Sequence, residues 1–504
     1  MRSTSTALFE IQDRIVRGFQ EPKPCQRAAT VAVDISKAFD SVDHNLLLEK
    51  LASSNLHSNI VRWLAAYLRG RKAKCTYLSA TSSQRAMHLG VPQGSVLSPC
   101  LFSFFVVTIP TSANVASMFA DDFSMTEFSP RIPDIERELQ RDVDELVTWA
   151  DSLNLAIEPT KSSITLFTTW TKQAKAHPQV SINGVPIPLK TTVKILGIIF
   201  DSMDCFSHHL DDIIGRCLKR LQILKALAGT DWGQSKENLI MTYKALIRSL
   251  MDYGCVIWYP NASKTQIHKL QIIQNTALRI ATGCHHNASQ AQVHAECKMM
   301  TVDNHLRLLC SQFLASALRP HHVNHHSVTA PSGSRALQLA SKARLSDIFI
   351  DVLSPHLSNG IIDPLNYNRV LSSLHSSAVQ AEIDQQDLNP LLGSTPPDIN
   401  AEEANLPRSS RTCLSQLRSH QCVRLNSYKL KIGKSDTDTC PLCHLTPHTT
   451  QHLFECTAAP TTLTVRDLWS NPKEVTDFLS SQPPFADLLP LNPPPPPPPP
   501  EPPP

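Results

Sequence analysis

Two short stretches hold the residues best suited to chemistry. In "FADDFSM" (119–125) Asp121 and Asp122 stand side by side between apolar flanks, and in "VAVDISKAFDSVDH" (31–44) Asp34 closes a β-branched run. A carboxylate near a core is costly unless something compensates it, and adjacent carboxylates repel. If a central sheet brings the first run beside the Ala-Asp-Asp connection, three carboxylates distant in sequence converge, and only cations make that tenable. Hard oxygen ligands favour Mg²⁺, which keeps waters and takes substrate phosphates alongside a few carboxylates. Two such ions about 4 Å apart activate an attacking oxygen and stabilise a leaving one in phosphoryl transfer. Taken singly, Asp34 also reads as the cap of the helix that follows, and Asp121–Asp122 as a polar turn.

A second constellation is soft. "CPLCHLTPHTTQHLFEC" spaces its ligands as Cys440-x2-Cys443-x8-His452-x3-Cys456. Cys-x2-Cys is a tight chelating turn, and residues four apart on a helix share a face, so His452 and Cys456 aim at one ion. Four such ligands suit a closed, tetrahedral, structural Zn²⁺ site, with free thiols in a loop as the alternative. His448 is a weaker ligand, because using it leaves Cys456 far away. Between Pro407 and Lys434 there are seven Lys/Arg and no acidic residue, a run expected to supply phosphate contacts whose affinity falls with salt. Four histidines in "PHHVNHHS" (320–327) read as an exposed loop and not as a metal site.

The elements that must position these groups follow from patterning. "TVAVDIS", "KSSITLF" and "VKILGIIF" read as strands, and "ASMFADDFSM" as two short strands joined by a turn. "HNLLLEKLASSNL" has helical spacing, and Pro99 starts a helix in "SPCLFSFFVVTI". Residues 135–155 form a long amphipathic helix with Leu139, Val143, Leu146 and Trp149 on one stripe. Residues 206–284 change to three long helical patterns, "HHLDDIIGRCLKRLQILKALAG", "KENLIMTYKALIRSLMDYGCVIWY" and "KTQIHKLQIIQNTALRIATG". Ten Lys/Arg against three Asp/Glu between Arg216 and Arg279 are, on their own, a solvated face of a helical bundle. Residues 285–400 carry little signal. Eight prolines at 493–500 require an extended or disordered tail, a ligand type for SH3- or WW-like grooves.

Composition bounds the class. A chain of 504 residues is long enough for about three domains. The net charge of +3 is too small to mark a nucleic-acid binder by itself. Fourteen cysteines are spread thinly, which favours reduced thiols and an intracellular setting, nucleus or cytoplasm. The N-terminus lacks a signal-peptide core, and the longest apolar run, "LFSFFVVTI", is too short to span a bilayer, so no membrane partner is expected.

"VAVDISKAFDSVDH", "GVPQGSVLSPCLF" and "FADDFSM", in this order and spacing, resemble the palm motifs of reverse transcriptases, and more narrowly those of non-LTR (LINE-type) retrotransposons. The likeness continues through "LNLAIEPTKSSITLF" and "VKILGIIFDSMDCFSHHL" into the helical region and covers most of residues 1–284. It implies an α+β fold: a right-hand polymerase palm, with an antiparallel sheet and helices, then an α-helical thumb. A small C-terminal zinc-binding segment and a disordered polyproline tail follow. The expected division is fingers remnant and palm at 1–201, thumb at 206–284, a poorly defined region at 285–400, a basic zinc-binding segment at 401–480 and the tail at 481–504.

The resemblance also implies roles. Asp34 and Asp121 would be the main Mg²⁺ ligands and Asp122 the third carboxylate. Phe39 matches an aromatic gate that leaves no room for a ribose 2′-hydroxyl; alone it reads as a core residue. Gly90, Gln93, Gly94 and Ser95 would line the nucleotide and template surface, where glycines permit close backbone approach. Lys161 would stabilise or protonate the departing pyrophosphate, with a plain surface lysine as the rival reading. The family commonly has Asn where Glu158 stands here. Leu196 and Gly197 would make backbone-level primer contacts. RNA template, DNA primer or target, and dNTPs are the implied partners. Only 33 residues precede Asp34, whereas the family carries a longer fingers region, so an N-terminally truncated element is expected. The alternative is an inactive fragment that binds RNA or DNA through its basic helices and zinc segment.

Overall fold

A computed structural model describes residues 3–110, 113, 115–119, 122–174, 176–229, 233–331, 344–384 and 388–488. The chain forms two compact units, each assembled from separated stretches. The first comprises Met1–Leu210, Gly254–Ala262 and Cys310–Val370, and the second Asp211–Tyr253, Ser263–Leu309 and Leu371–Pro504. The expected division was contiguous, whereas residues 285–400 contribute helices to both units.

The first unit opens with α1 (Thr4–Gln20), β1 (Arg27–Asp34), α2 (His44–Ala52) and α3 (Ser58–Leu68). A ribbon of four short strands follows: β2 (Lys72–Ala73), β3 (Thr76–Tyr77), β4 (Ala80–Thr81) and β5 (Arg85–Ala86). Then come α4 (Ser98–Phe105), β6 (Val115–Phe119), β7 (Asp122–Ser129), α5 (Ile132–Ser152) and β8 (Ser163–Phe167). Two hairpins, β9 (Ser181–Ile182) with β10 (Val185–Pro186) and β11 (Thr192–Ile195) with β12 (Ile198–Asp201), precede α6 (Ser207–Leu227).

The main sheet is antiparallel, in the order β6-β7-β1-β8. β1 is an inner strand buried on both faces through Ala28, Ala29, Thr30 and Val31, which is why its sequence runs apolar instead of alternating. Val31, Val33, Phe123, Met125, Ile164 and Leu166 share one core with Leu139, Val143, Leu146 and Trp149 of α5, the stripe read from the sequence. Pro99 and Pro133 sit in the first turns of α4 and α5, where a missing N–H costs nothing.

"VKILGIIF" is a hairpin and not a single strand. Leu196 (φ 46°) and Gly197 (φ 85°) are both left-handed, and paired positive φ values make the tight turn that joins β11 to β12. "KENLIMTYKALIRSLMDYGCVIWY" is likewise not one helix. It runs from Lys236 to Asp252 with a π turn at Lys244–Arg248, then breaks at Gly254 (φ 59°), where the chain re-enters the first unit.

The second unit is helical. Its interior holds an ion cluster in which Arg418 reaches both Glu296 and Glu403, while Lys236 lies 3.1 Å from each of the same carboxylates. Such a cluster is costly to break, since removing one member strands a buried charge. A second core gathers Leu414, Leu417, Leu425, Tyr428, Leu468, Trp469 and Leu479.

Phe485 and Leu488 are fully buried in that core, and Ser410 donates to the Leu488 carbonyl at 2.8 Å. The expected tail therefore does not begin at 481: residues 481–488 pack because two apolar anchors hold them. The polyproline stretch lies outside the described residues. No helix among the described residues is long and apolar enough to cross a membrane.

Candidate active site and metal centre

The register of β1 against β7 places Asp34 directly opposite Asp122. Directly opposed residues project to the same face, with Cβ atoms about 5 Å apart. The helix after β1 begins at His44 and is capped by Asp43, whose carboxylate accepts from the Asn45 and Leu46 amides, so Asp34 is not a cap. Asp34 is half exposed and lies 3.8 Å from the Lys161 ammonium. Its backbone is fixed from the next loop: Glu158 N–H donates to the Asp34 carbonyl at 3.0 Å, and Ser162 Oγ accepts from the Asp34 amide at 3.3 Å. Glu158, where the family commonly has Asn, thus makes a backbone bond that either residue supplies.

Asp34, Asp122 and Lys161 line one cleft of about 390 Å³, together with Ser117, Lys190, Lys194 and Leu196. Two carboxylate residues, Asp34 and Asp122, and three lysines, Lys161, Lys190 and Lys194, are thus among its lining. Asp121 lies outside the described residues.

The predicted nucleotide and template residues form a neighbouring assembly. Phe39 is half-buried and stacks on Phe102 with ring centroids 4.3 Å apart. Val91 N–H donates to the Phe39 carbonyl at 2.9 Å, Gly90 N–H to the Val42 carbonyl at 2.8 Å, and Gln93 Nε2 to Asp40 at 3.1 Å. His44 Nε2 closes the set at 2.7 Å from the Gly90 carbonyl. Asp40 and His44 were not singled out from sequence; their place just after Asp34 in "DISKAFDSVDH" was the available signal.

Gly90 is required twice over, since its φ is 85° and an added Cβ would meet the Asp40 backbone at 2.8 Å. Gly90→Ala is expected to cost about 2–3 kcal/mol, measured as a lowered urea midpoint with unchanged m-value. Gly94 shares the φ but faces open space.

Residues 6–200 match the family described as reverse transcriptase (RNA-dependent DNA polymerase). These residues are a reverse transcriptase domain. The chain is similar to a probable RNA-directed DNA polymerase from transposon X-element of Drosophila melanogaster, 28% identical over 62% of this chain and 34% of the relative. It is 27% identical to another from transposon BS of the same organism, over 64% of this chain and 36% of the relative. An RNA-directed DNA polymerase from mobile element jockey of Drosophila funebris is 26% identical over 57% of this chain and 32% of that one. The chain spans about a third of the length of these curated relatives.

Beyond the reverse transcriptase domain, Cys440, Cys443, His452 and Cys456 converge, their ligand atoms all within 4.8 Å of one another. Cys440 Sγ and Cys456 Sγ are 3.9 Å apart and Cys443 Sγ is 3.4 Å from His452 Nε2. Tetrahedral thiolate ligation at about 2.3 Å places two sulfurs about 3.8 Å apart, so the set fits a zinc-sized ion and is far too open for a disulfide. Backbone N–H groups of Leu445 and Thr446 hold the Cys443 thiol down at about 6, favouring the thiolate a metal needs. His448 is not in the converging set: it is buried, and its Nδ1 accepts from the Asn426 amide at 3.2 Å.

The basic run before this centre differs from expectation. Arg408 donates to the carbonyls of Gly229, Ile280 and Ala281, closing the C-terminal turn of helix Lys264–Thr282. Arg411 pairs with Glu237, Arg418 with Glu296 and Glu403, and Arg424 with Asp487. Four of the seven cations are therefore structural, because their carboxylates and carbonyls arrive from distant sequence. Within "PHHVNHHS", His325 and His326 begin a short helix, His325–Thr329, and among the described residues the Cys/His set alone brings three or more Cys, His, Asp or Glu ligand atoms together.

Proposed function

We propose that the chain is an RNA-directed DNA polymerase of the non-LTR retrotransposon kind, extending a primer 3′-hydroxyl with deoxynucleotides on an RNA template. The observation that carries this reading is the register pair Asp34–Asp122 in a cleft shared with Lys161, inside the matched residues. Opposed like charges destabilise a strand pair, and an all-oxygen donor set in an open cleft suits a hard divalent cation. Asp34 and Asp122, with Asp121 beside it in the chain, are the residues that would hold Mg²⁺. Bound there, two Mg²⁺ ions supply Lewis acidity to the attacking 3′-oxygen and to the departing pyrophosphate. Lys161 then offers positive charge, or a proton, to the leaving group. The Leu196–Gly197 turn presents backbone to the primer from the same cleft.

In this reading residues 1–201 act as palm and fingers remnant and 206–284 as thumb. The Cys/His centre takes Zn²⁺ as a structural ion, and nucleus or cytoplasm is the place of action. Primer extension on an RNA template with dNTPs and Mg²⁺ tests it; a folded, zinc-loaded parent that binds template but adds no nucleotide would establish the binding-only alternative.

Phe39 is read as the sugar gate. Its ring is braced from behind by Phe102, so it cannot yield to an added hydroxyl without disturbing the core. Phe39→Val is expected to narrow the preference for dNTP over rNTP by about a hundredfold in kcat/KM ratios. An unchanged ratio would make Phe39 a packing residue only.

A further inference from the structure

Residues of the second unit alone surround a cavity of about 470 Å³, lined in part by Arg418 and Glu296 of the buried ion cluster. Small-molecule sites commonly fall between roughly 300 and 1,000 Å³ and are mostly apolar, with a few placed polar groups. Met299, Val379, Ile383, Ile399 and Trp469 supply apolar wall here. Pro396 and Pro397 add a stretch whose φ angles are fixed by their rings, so that side is preformed.

Three carboxylates line the cavity, and two of them are answered. Glu296 is shared by Lys236 and Arg418, and Asp398 lies 2.7 Å from the Lys298 ammonium. The third is Glu382, on helix Tyr367–Asp384 and only 9% exposed. Its Oε2 accepts three hydrogen bonds: from the Thr301 N–H at 3.1 Å, from Thr301 Oγ1 at 3.0 Å and from Asn304 Nδ2 at 2.6 Å. All three donors are neutral. Among the described residues no cation pairs with Glu382, and its Oε1 receives no donor.

The cavity's own cations do not fill that place. Arg418 is spent on Glu296, Glu403 and the Leu468 carbonyl, and Lys298 on Asp398. Burial holds the His294 imidazole below its ordinary range, so it supplies no charge at neutral pH. A carboxylate taken out of water with one oxygen unmatched is costly, and a cation brought to that oxygen offsets the cost. The geometry also selects the cation. A guanidinium fork wants both carboxylate oxygens, whereas an ammonium is a compact point charge that one oxygen satisfies.

We propose that this cavity binds a small primary amine with an apolar body, its ammonium donating to Glu382 Oε1 and its hydrocarbon or aryl part lying against Val379, Ile383 and Trp469. The site is independent of the polymerase reading, since every one of these residues lies outside the matched reverse transcriptase domain.

The test is isothermal titration calorimetry of the full, zinc-loaded chain with tryptamine and with tryptophol, which keeps the apolar body and replaces the ammonium by a hydroxyl. Tryptamine is expected to bind at one site per chain, about tenfold or more tighter than tryptophol. Glu382→Gln keeps an oxygen for Thr301 and Asn304 and should bring tryptamine down to the affinity of tryptophol. Ile383→Trp, at a lining position that is 44% exposed, enlarges a wall side chain and should weaken both ligands by about tenfold. Circular dichroism and thermal melting confirm that both variants fold. Equal binding of the two ligands overturns the proposal, as does binding of neither. A preference that survives Glu382→Gln, or affinities untouched by Ile383→Trp, would place the binding elsewhere and overturn it too. A blocked Leu-Lys-Leu peptide forms the second arm: if it binds through Glu382 while tryptamine does not, the site takes a protein segment and the small-molecule assignment falls. Primer extension is not part of the readout, so an inactive polymerase leaves this result untouched.

Discussion

Asp34→Asn is expected to lower dNTP incorporation by about a thousandfold or more while leaving the sheet at least as stable as before. The two halves of that expectation come from one geometry. Asp34 and Asp122 are direct partners across β1 and β7, so asparagine removes a repulsion worth about 0.2–1 kcal/mol when no cation is present. The backbone bonds to Glu158 and Ser162 do not involve the carboxylate and survive the change. Urea midpoints in chelator should therefore be equal or slightly raised, and extension assays in Mg²⁺ should fail. Extension at parental rate would remove Asp34 from the catalytic set; a lowered midpoint in chelator would mean that Lys161, 3.8 Å away, already stabilises the charge without metal.

The largest effect on structure should come from the Cys/His centre. From Ser435 to Pro447 the one buried side chain is Cys440, so this segment has almost no apolar contact to hold its shape. Its order rests on a few bonds, such as Cys440 N–H to the Thr446 carbonyl at 2.8 Å and His444 N–H to the Cys440 carbonyl at 3.1 Å. Structural zinc contributes roughly 10–16 kcal/mol to folding in isolated zinc modules, and losing one of four ligands should forfeit several kcal/mol of that. Cys440→Ser, or a strong chelator, is expected to abolish amide protection at Cys440 and His444 in hydrogen exchange, with about one zinc per chain lost on metal analysis. Leu453 and Phe454, which join the neighbouring core, should lose protection less completely. Exchange that is indifferent to chelator would mean the four ligands are free thiols and imidazole.

Much of the cleft was legible because its logic is local. The β-branched run ending at Asp34, the apolar flanks of Asp122 and the stripe on α5 each declare an element, and the sheet does the rest. The metal-ligand spacing of Cys440 to Cys456 is similarly self-contained. What escaped depends on partners far away in the chain. Nothing within "RSSRTCLSQLRSHQCVR" says that Arg418 will meet Glu296 and Glu403, or that Arg408 will close the end of another helix. The hairpin inside "VKILGIIF" was hidden because Leu196 at positive φ is rare for a bulky residue, so the run reads as one strand. Phe485 and Leu488 were lost among prolines, although two large apolar side chains suffice to anchor a short segment.

Thr30 and Thr126 face each other across β1 and β7, their hydroxyls 2.7 Å apart and fully buried, four residues from Asp34 and Asp122. Each hydroxyl satisfies the other in a place water does not reach, so this pair is the index mark of the ladder. A slip of one residue would strand both hydroxyls and turn Asp34 to the opposite face. The spacing of the two carboxylates is consequently digital: substitutions in the surrounding core can weaken the sheet, but they have no graded route to a slightly displaced pair.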